Sequence, residues 1–125
     1  MQNKLSIIRK GMDLAKVQST ANITSSPISE TIDSRTFSVI KFPADGVQIF
    51  FDKNVVSSVR FERPFSEAVE GVRLGSSKDE VVNIMGKPDR LWPIDDGVER
   101  WLYDKPTFMR LDFDPLTNVV STIFR

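Results

Sequence analysis

Two residue types are missing altogether: the 125 residues include no cysteine and no histidine. The first absence excludes disulfides and thiolate metal sites. Together they remove the usual ligands of zinc, copper and haem and the commonest general base. A surplus of either charge is missing too. Lys+Arg and Asp+Glu each total 17, whereas a phosphate-binding surface needs an excess of cations. Long apolar runs are also absent. The patch Leu5-Ser-Ile-Ile8 is far shorter than a signal-peptide core or a membrane span. These absences set the expectations: a cytoplasmic chain, no cofactor, no metal, no nucleic acid and no membrane partner.

What remains is an ordinary globular composition, 40% hydrophobic and 27% charged. Self-comparison is the most informative step. Asn54-Val-Val-Ser-Ser-Val matches Asn118-Val-Val-Ser-Thr-Ile at an offset of 64 residues. Val47-Gln-Ile-Phe-Phe-Asp52 matches Met109-Arg-Leu-Asp-Phe-Asp114 at an offset of 62, and Ile8-Arg-Lys-Gly11 matches Val72-Arg-Leu-Gly75 at 64. Three matches in one order point to a duplication. The units are residues 1–62 and 72–125, joined by a linker over 63–71, in one compact body.

Each unit reads as a short helix followed by three strands. In the second, Ser77-Lys-Asp-Glu80 is a capping box, and Gly86 with Pro88 ends the helix. In the first, Asp13 is the N-cap and Asn22 replaces the terminating glycine. Alternating apolar residues place strands at 36–42, 46–52, 55–62, 98–104, 107–114 and 118–125. Turns fall at Pro43–Gly46 and Asp104–Thr107, and the Ser/Thr-rich stretch 22–35 reads as a loop. The expected fold class is α+β: two tandem helix-β-β-β repeats, an antiparallel sheet of about six strands, short helices on one face.

The stretch Glu70-Gly-Val-Arg-Leu-Gly-Ser-Ser-Lys-Asp-Glu-Val-Val-Asn-Ile-Met-Gly-Lys-Pro-Asp89 resembles the opening of the SmpA/OmlA outer-membrane lipoprotein family. The tandem arrangement is similar to the β-lactamase inhibitory protein family. The resemblance implies the fold and a habit of binding proteins with the sheet face. It implies no individual contact residue and no β-lactamase inhibition. Neither a lipobox cysteine nor a leader is present, so outer-membrane anchoring is not implied.

With Ile49, Phe51, Val59, Phe61, Leu111, Phe113 and Ile123 facing the helices, the other face presents Phe37, Val39, Gln48, Phe50 and Arg60. From the second unit come Arg100, Arg110, Asp112 and Phe124. Aromatics mixed with arginine are typical of protein-binding hot spots. Trp92, in the loop Trp92–Gly97, is either a further contact or packed over a helix; Trp101 and Tyr103 read as core. Asp112 and Asp114 lie two apart but have no nucleophile or base beside them, and Asp95-Asp96 fits no calcium loop. The expected function is therefore non-enzymatic protein binding, as an inhibitor or a toxin-neutralising (immunity) protein whose partner is a toxin or enzyme. The alternatives are an envelope assembly scaffold, a small-ligand-binding domain, or a homodimer formed through the open face.

Overall fold

The computed structural model describes every residue except Met1, residues 93–96 and Pro106, together with the side chains of Gln2 and Asn3. The Asp95-Asp96 pair, most of the Trp92–Gly97 loop and the centre of the turn at 104–107 therefore lie outside the described residues. Among the described residues three helices, α1 (Gln2–Leu5), α2 (Leu14–Ala21) and α3 (Lys78–Met85), accompany eight strands. The strands are β1 (Ile28–Ile32), β2 (Arg35–Phe42), β3 (Val47–Asp52), β4 (Val55–Glu62), β5 (Arg90–Trp92), β6 (Glu99–Tyr103), β7 (Met109–Phe113) and β8 (Val120–Phe124). They form one sheet in the order β1-β2-β3-β4-β8-β7-β6-β5, and every neighbouring pair is antiparallel.

This overturns the expected six-stranded sheet of two helix-β-β-β units. Two strands were not anticipated. β1 arises inside the stretch read as a loop, because Asp33 and Ser34 both adopt positive φ (49° and 67°). Those values make the two-residue hairpin turn that matches strand twist, and it folds Ile28–Ile32 back onto β2. β5 is three residues long, too short for an alternating pattern to show. Each half therefore runs from a helix through four strands. β4 and β8 meet at the centre through Arg60↔Phe124, Phe61↔Ile123 and Glu62↔Thr122.

Local signals explain the two longer helices. The Asp13 carboxylate accepts from Lys16 N–H at 2.7 Å, and Asn22 closes α2 at φ 55°. Ser77 and Glu80 exchange capping bonds of 3.1 and 3.0 Å. The same connection fastens each helix to the sheet. Gly11 N–H donates to Val56 O at 2.9 Å and Gly75 N–H donates to Val120 O at 2.8 Å. Val56 and Val120 return bonds to Met12 O and Ser76 O at 2.8 and 2.9 Å.

The core lies between the helices and one sheet face. Val17, Ala21 and Val81 from the helices pack with Ile49, Val59, Phe61, Met109, Leu111 and Ile123 in one cluster that joins both halves. The segment 63–71 belongs to it, since Phe65 and Val69 are buried and the Phe61 and Phe65 rings lie 4.7 Å apart. Tyr103 is buried, and its hydroxyl donates to Gly86 O at 2.8 Å, which ties the end of α3 to β6. Arg125 inserts its guanidinium among these elements, donating to Ser6 O and Ile8 O.

Candidate functional site

Among the described residues no helix covers the second face of the sheet. Its register lines up one row of cross-strand neighbours, Lys41–Gln48–Arg60–Phe124–Arg110–Leu102–Arg90. That row holds four cations and no acid. The acids stand elsewhere on the face and neutralise it locally. Lys41 pairs with Glu30, Arg60 with Glu62 at 3.2 Å, and Arg90 with Asp104 at 2.8 Å. Arg110 grips Asp112 with two bonds of 3.0 and 3.2 Å, and Arg100 approaches the same carboxylate at 3.7 Å.

At the centre of the row, the Arg110 guanidinium lies 3.8 Å from the centroid of the Phe124 ring and that of Arg60 lies 5.4 Å away. Guanidiniums stacked this way hold an aromatic side chain in place and leave a rigid surface. Phe37 meets Phe50 edge to face at 5.7 Å. The face is concave. One hollow of about 260 Å³ is lined by Trp92, Leu102, Phe108, Arg110 and Phe124. Another of about 350 Å³ is lined by Ile32, Phe37, Phe50, Arg60, Arg110 and Phe124. They share Ser58, Arg110 and Phe124 and so form one trough. Ile32 and Arg110 stand on strands five intervals apart, roughly 24 Å on a flat sheet. They line one hollow because the sheet curls and brings the β1–β2 hairpin over the face.

The ten sequence-derived residues separate on this geometry. Phe37, Gln48, Arg60, Arg100, Arg110 and Phe124 are half-buried on the face. Trp92 is 48% exposed and stands on the trough side, not over a helix. Val39, Phe50 and Asp112 lie on the same face but are buried, Val39 completely, against Ile28 and Phe50 on the flanking strands. They shape the floor from beneath its surface. Phe108, 44% exposed, and Ile32, 39% exposed, line the trough and were not anticipated. Ile32 lay in the supposed loop. Phe108 fell inside the expected strand 107–114, where alternation sets it on the same face as Arg110, but it was not counted among the open-face residues.

Catalytic features are sparse. Asp112 is clamped by arginines. Asp114 accepts the Leu116 and Thr117 N–H groups at 2.8 and 3.1 Å, and these bonds hold its carboxyl below the usual range. It is a turn residue. Among the described residues no group of acids could hold a metal ion, and no helix is long and apolar enough to cross a membrane.

No family model and no curated protein matches the chain. Among solved structures, a cysteine-rich secretory protein from Staphylococcus aureus subsp. aureus Mu50 is similar, with a TM-score of 0.59 at 15% identity. The likeness spans 92% of this chain and 43% of that one, and at this identity it shows the fold alone. It also corrects the sequence reading. Kinship with the SmpA/OmlA and β-lactamase inhibitory protein families finds no support, and the fold is shared with a protein of another description. The twenty-residue motif behind that reading encodes a glycine-flanked, capped helix, which backbone geometry alone explains.

Proposed function

We propose that the chain is a non-enzymatic protein-binding module that docks its partner in the trough of the open sheet face, acting as an inhibitor or neutralising protein. The observation that carries this reading is Phe124 held between Arg60 and Arg110 at the centre of a concave face. Aromatic and arginine anchors in a concave setting bind well because little conformational entropy remains to be lost. The neighbouring ion pairs contribute orientation more than affinity. Inhibition would follow from occlusion: whatever fills the trough has the corresponding part of its own surface covered.

The test is affinity capture with the wild-type chain, identification of the bound protein, and titration of the purified pair. Phe124→Ala and Arg110→Ala each weaken binding by about thirtyfold, the loss of a hot-spot anchor. Ile84→Ser, on the exposed helix side, leaves it unchanged. If the trough substitutions are silent while Ile84→Ser abolishes binding, the reading is wrong.

A further inference from the structure

We propose that strand β1 is an acceptor edge, onto which the partner adds an extended segment as a ninth strand beside the trough. This rests on the docking role argued above and specifies how the partner engages.

β1 and β5 are the two rims of the sheet. In a two-residue hairpin the closing pair, here Ile32↔Arg35, exchanges both backbone hydrogen bonds, and bonded pairs then alternate along the ladder. Thr31↔Thr36 is therefore a close, non-bonded pair, and its hydroxyls lie 3.3 Å apart. It follows that the N–H and C=O groups of Ser29 and Thr31 point away from β2 into solvent. Both residues are exposed.

Exposed edges are usually guarded by shortness, lysine, proline or a bulge. β5 is three residues long and begins with Arg90. β1 spans five residues, Ile-Ser-Glu-Thr-Ile, with no lysine, proline or bulge within it and a single charge, Glu30, which Lys41 already engages. Ile28 and Ile32 stand on the trough side, 59% and 39% exposed, with Glu30 between them.

A second copy of this chain fits the edge badly. The two-fold antiparallel register that uses both Ser29 and Thr31 sets Glu30 directly against its own counterpart, in the closer kind of pair. Sliding by two residues brings in either Pro27, which has no N–H, or Asp33, which is left-handed at φ 49°. Glu30 is paired with Lys41 within the sheet, yet its side chain stays 30% exposed, so the edge favours a foreign strand with a lysine or arginine opposite Glu30 and apolar residues opposite Ile28 and Ile32 over a second copy of itself.

The test uses the full chain, isotope-labelled, with a short acetylated peptide centred on Val-Thr-Lys-Thr-Val and its Lys→Glu counterpart. The lysine peptide slows amide exchange at Ser29 and Thr31, and the glutamate peptide binds about tenfold more weakly. Thr31→Pro removes an outward N–H without touching the ladder and lowers affinity by about tenfold. Glu30→Lys reverses the peptide preference, a readout that does not depend on how well the proline variant folds. Three results overturn the proposal: no saturable binding up to about millimolar peptide, perturbation at Phe124 and Arg110 with Ser29 and Thr31 unchanged, or concentration-dependent protection of Ser29 and Thr31 without peptide. With the natural partner, full binding by Thr31→Pro and loss by Phe124→Ala removes strand addition alone. Full binding by Phe124→Ala removes the trough reading itself.

Discussion

Replacing Arg125 with methionine removes a guanidinium that fastens three separate parts of the molecule. The residue is 5% exposed. Its Nη2 donates to Ser6 O at 2.6 Å and to Ile8 O at 2.7 Å. Its Nη1 reaches Glu70 at 3.4 Å, and the group lies 5.6 Å from the Phe61 ring centroid. Burial, with Arg9 nearby, lowers its pKa from the ordinary arginine value, and Glu70 opposes that shift. Methionine fills much of the same volume and avoids the desolvation of a charge. It leaves two carbonyls without their charged donor, each worth about 1–3 kcal/mol. Glu70 is partly solvated and pairs also with Arg9 at 3.9 Å, so it adds little. The net loss is about 3 kcal/mol, within the range for breaking a buried pair by deleting one partner. With a slope of about 2 kcal/mol per molar urea, the unfolding midpoint falls by about 1.5 M at constant slope. Arg125→Lys recovers part of the loss, because a single ammonium cannot reproduce the fork. A methionine variant within about 0.5 kcal/mol of wild type, in the range of an ordinary surface substitution, would refute the reasoning.

Three further outcomes are expected. Gly46→Ala places a Cβ 2.0 Å from Glu62 O at a φ of +73°, and the clash with the strained backbone costs about 3 kcal/mol, read by urea unfolding. Ser77→Ala removes the acceptor for Glu80 N–H and costs about 1 kcal/mol by the same assay. Tyr103 has its pKa pushed up from 10.0 to about 12 by burial and by the Asp89 carboxylate. Its proton is thus held more tightly in the fold than in the unfolded chain. The stability this contributes is whole below pH 10 and is lost as pH climbs to about 12. The chain has one tyrosine, so phenolate absorbance follows it alone, and Tyr103→Phe flattens the alkaline loss in urea midpoint.

Features governed by a few neighbouring residues were legible in the sequence. The Ser77 and Asp13 caps are local hydrogen bonds, and the strands carrying Ile49, Val59 and Leu111 show their alternation directly. The departures come from two non-local causes. Bulges at Phe50/Phe51 and Asp112/Phe113 shift the register, so that consecutive residues on β3 and β7 are buried and alternation misjudges exposure there. Curvature is the other. No local pattern says that the hairpin tip at Ile32 will reach a hollow shared with Arg110, and only that closure makes a trough of a face. β1 itself was hidden by composition, since Ser and Thr read as loop until the left-handed pair Asp33-Ser34 is seen to close a turn.

The join between the halves is no tether. Phe65, Val69 and Val72 are buried with everything else, and the seam sets β4 directly beside β8. Cleaved from each other, both halves would carry a naked flank rich in valine and phenylalanine, the kind of surface that polymerises. The molecule keeps these two apolar strands locked together in its own middle and leaves β1 and β5 as its only free flanks among the described residues.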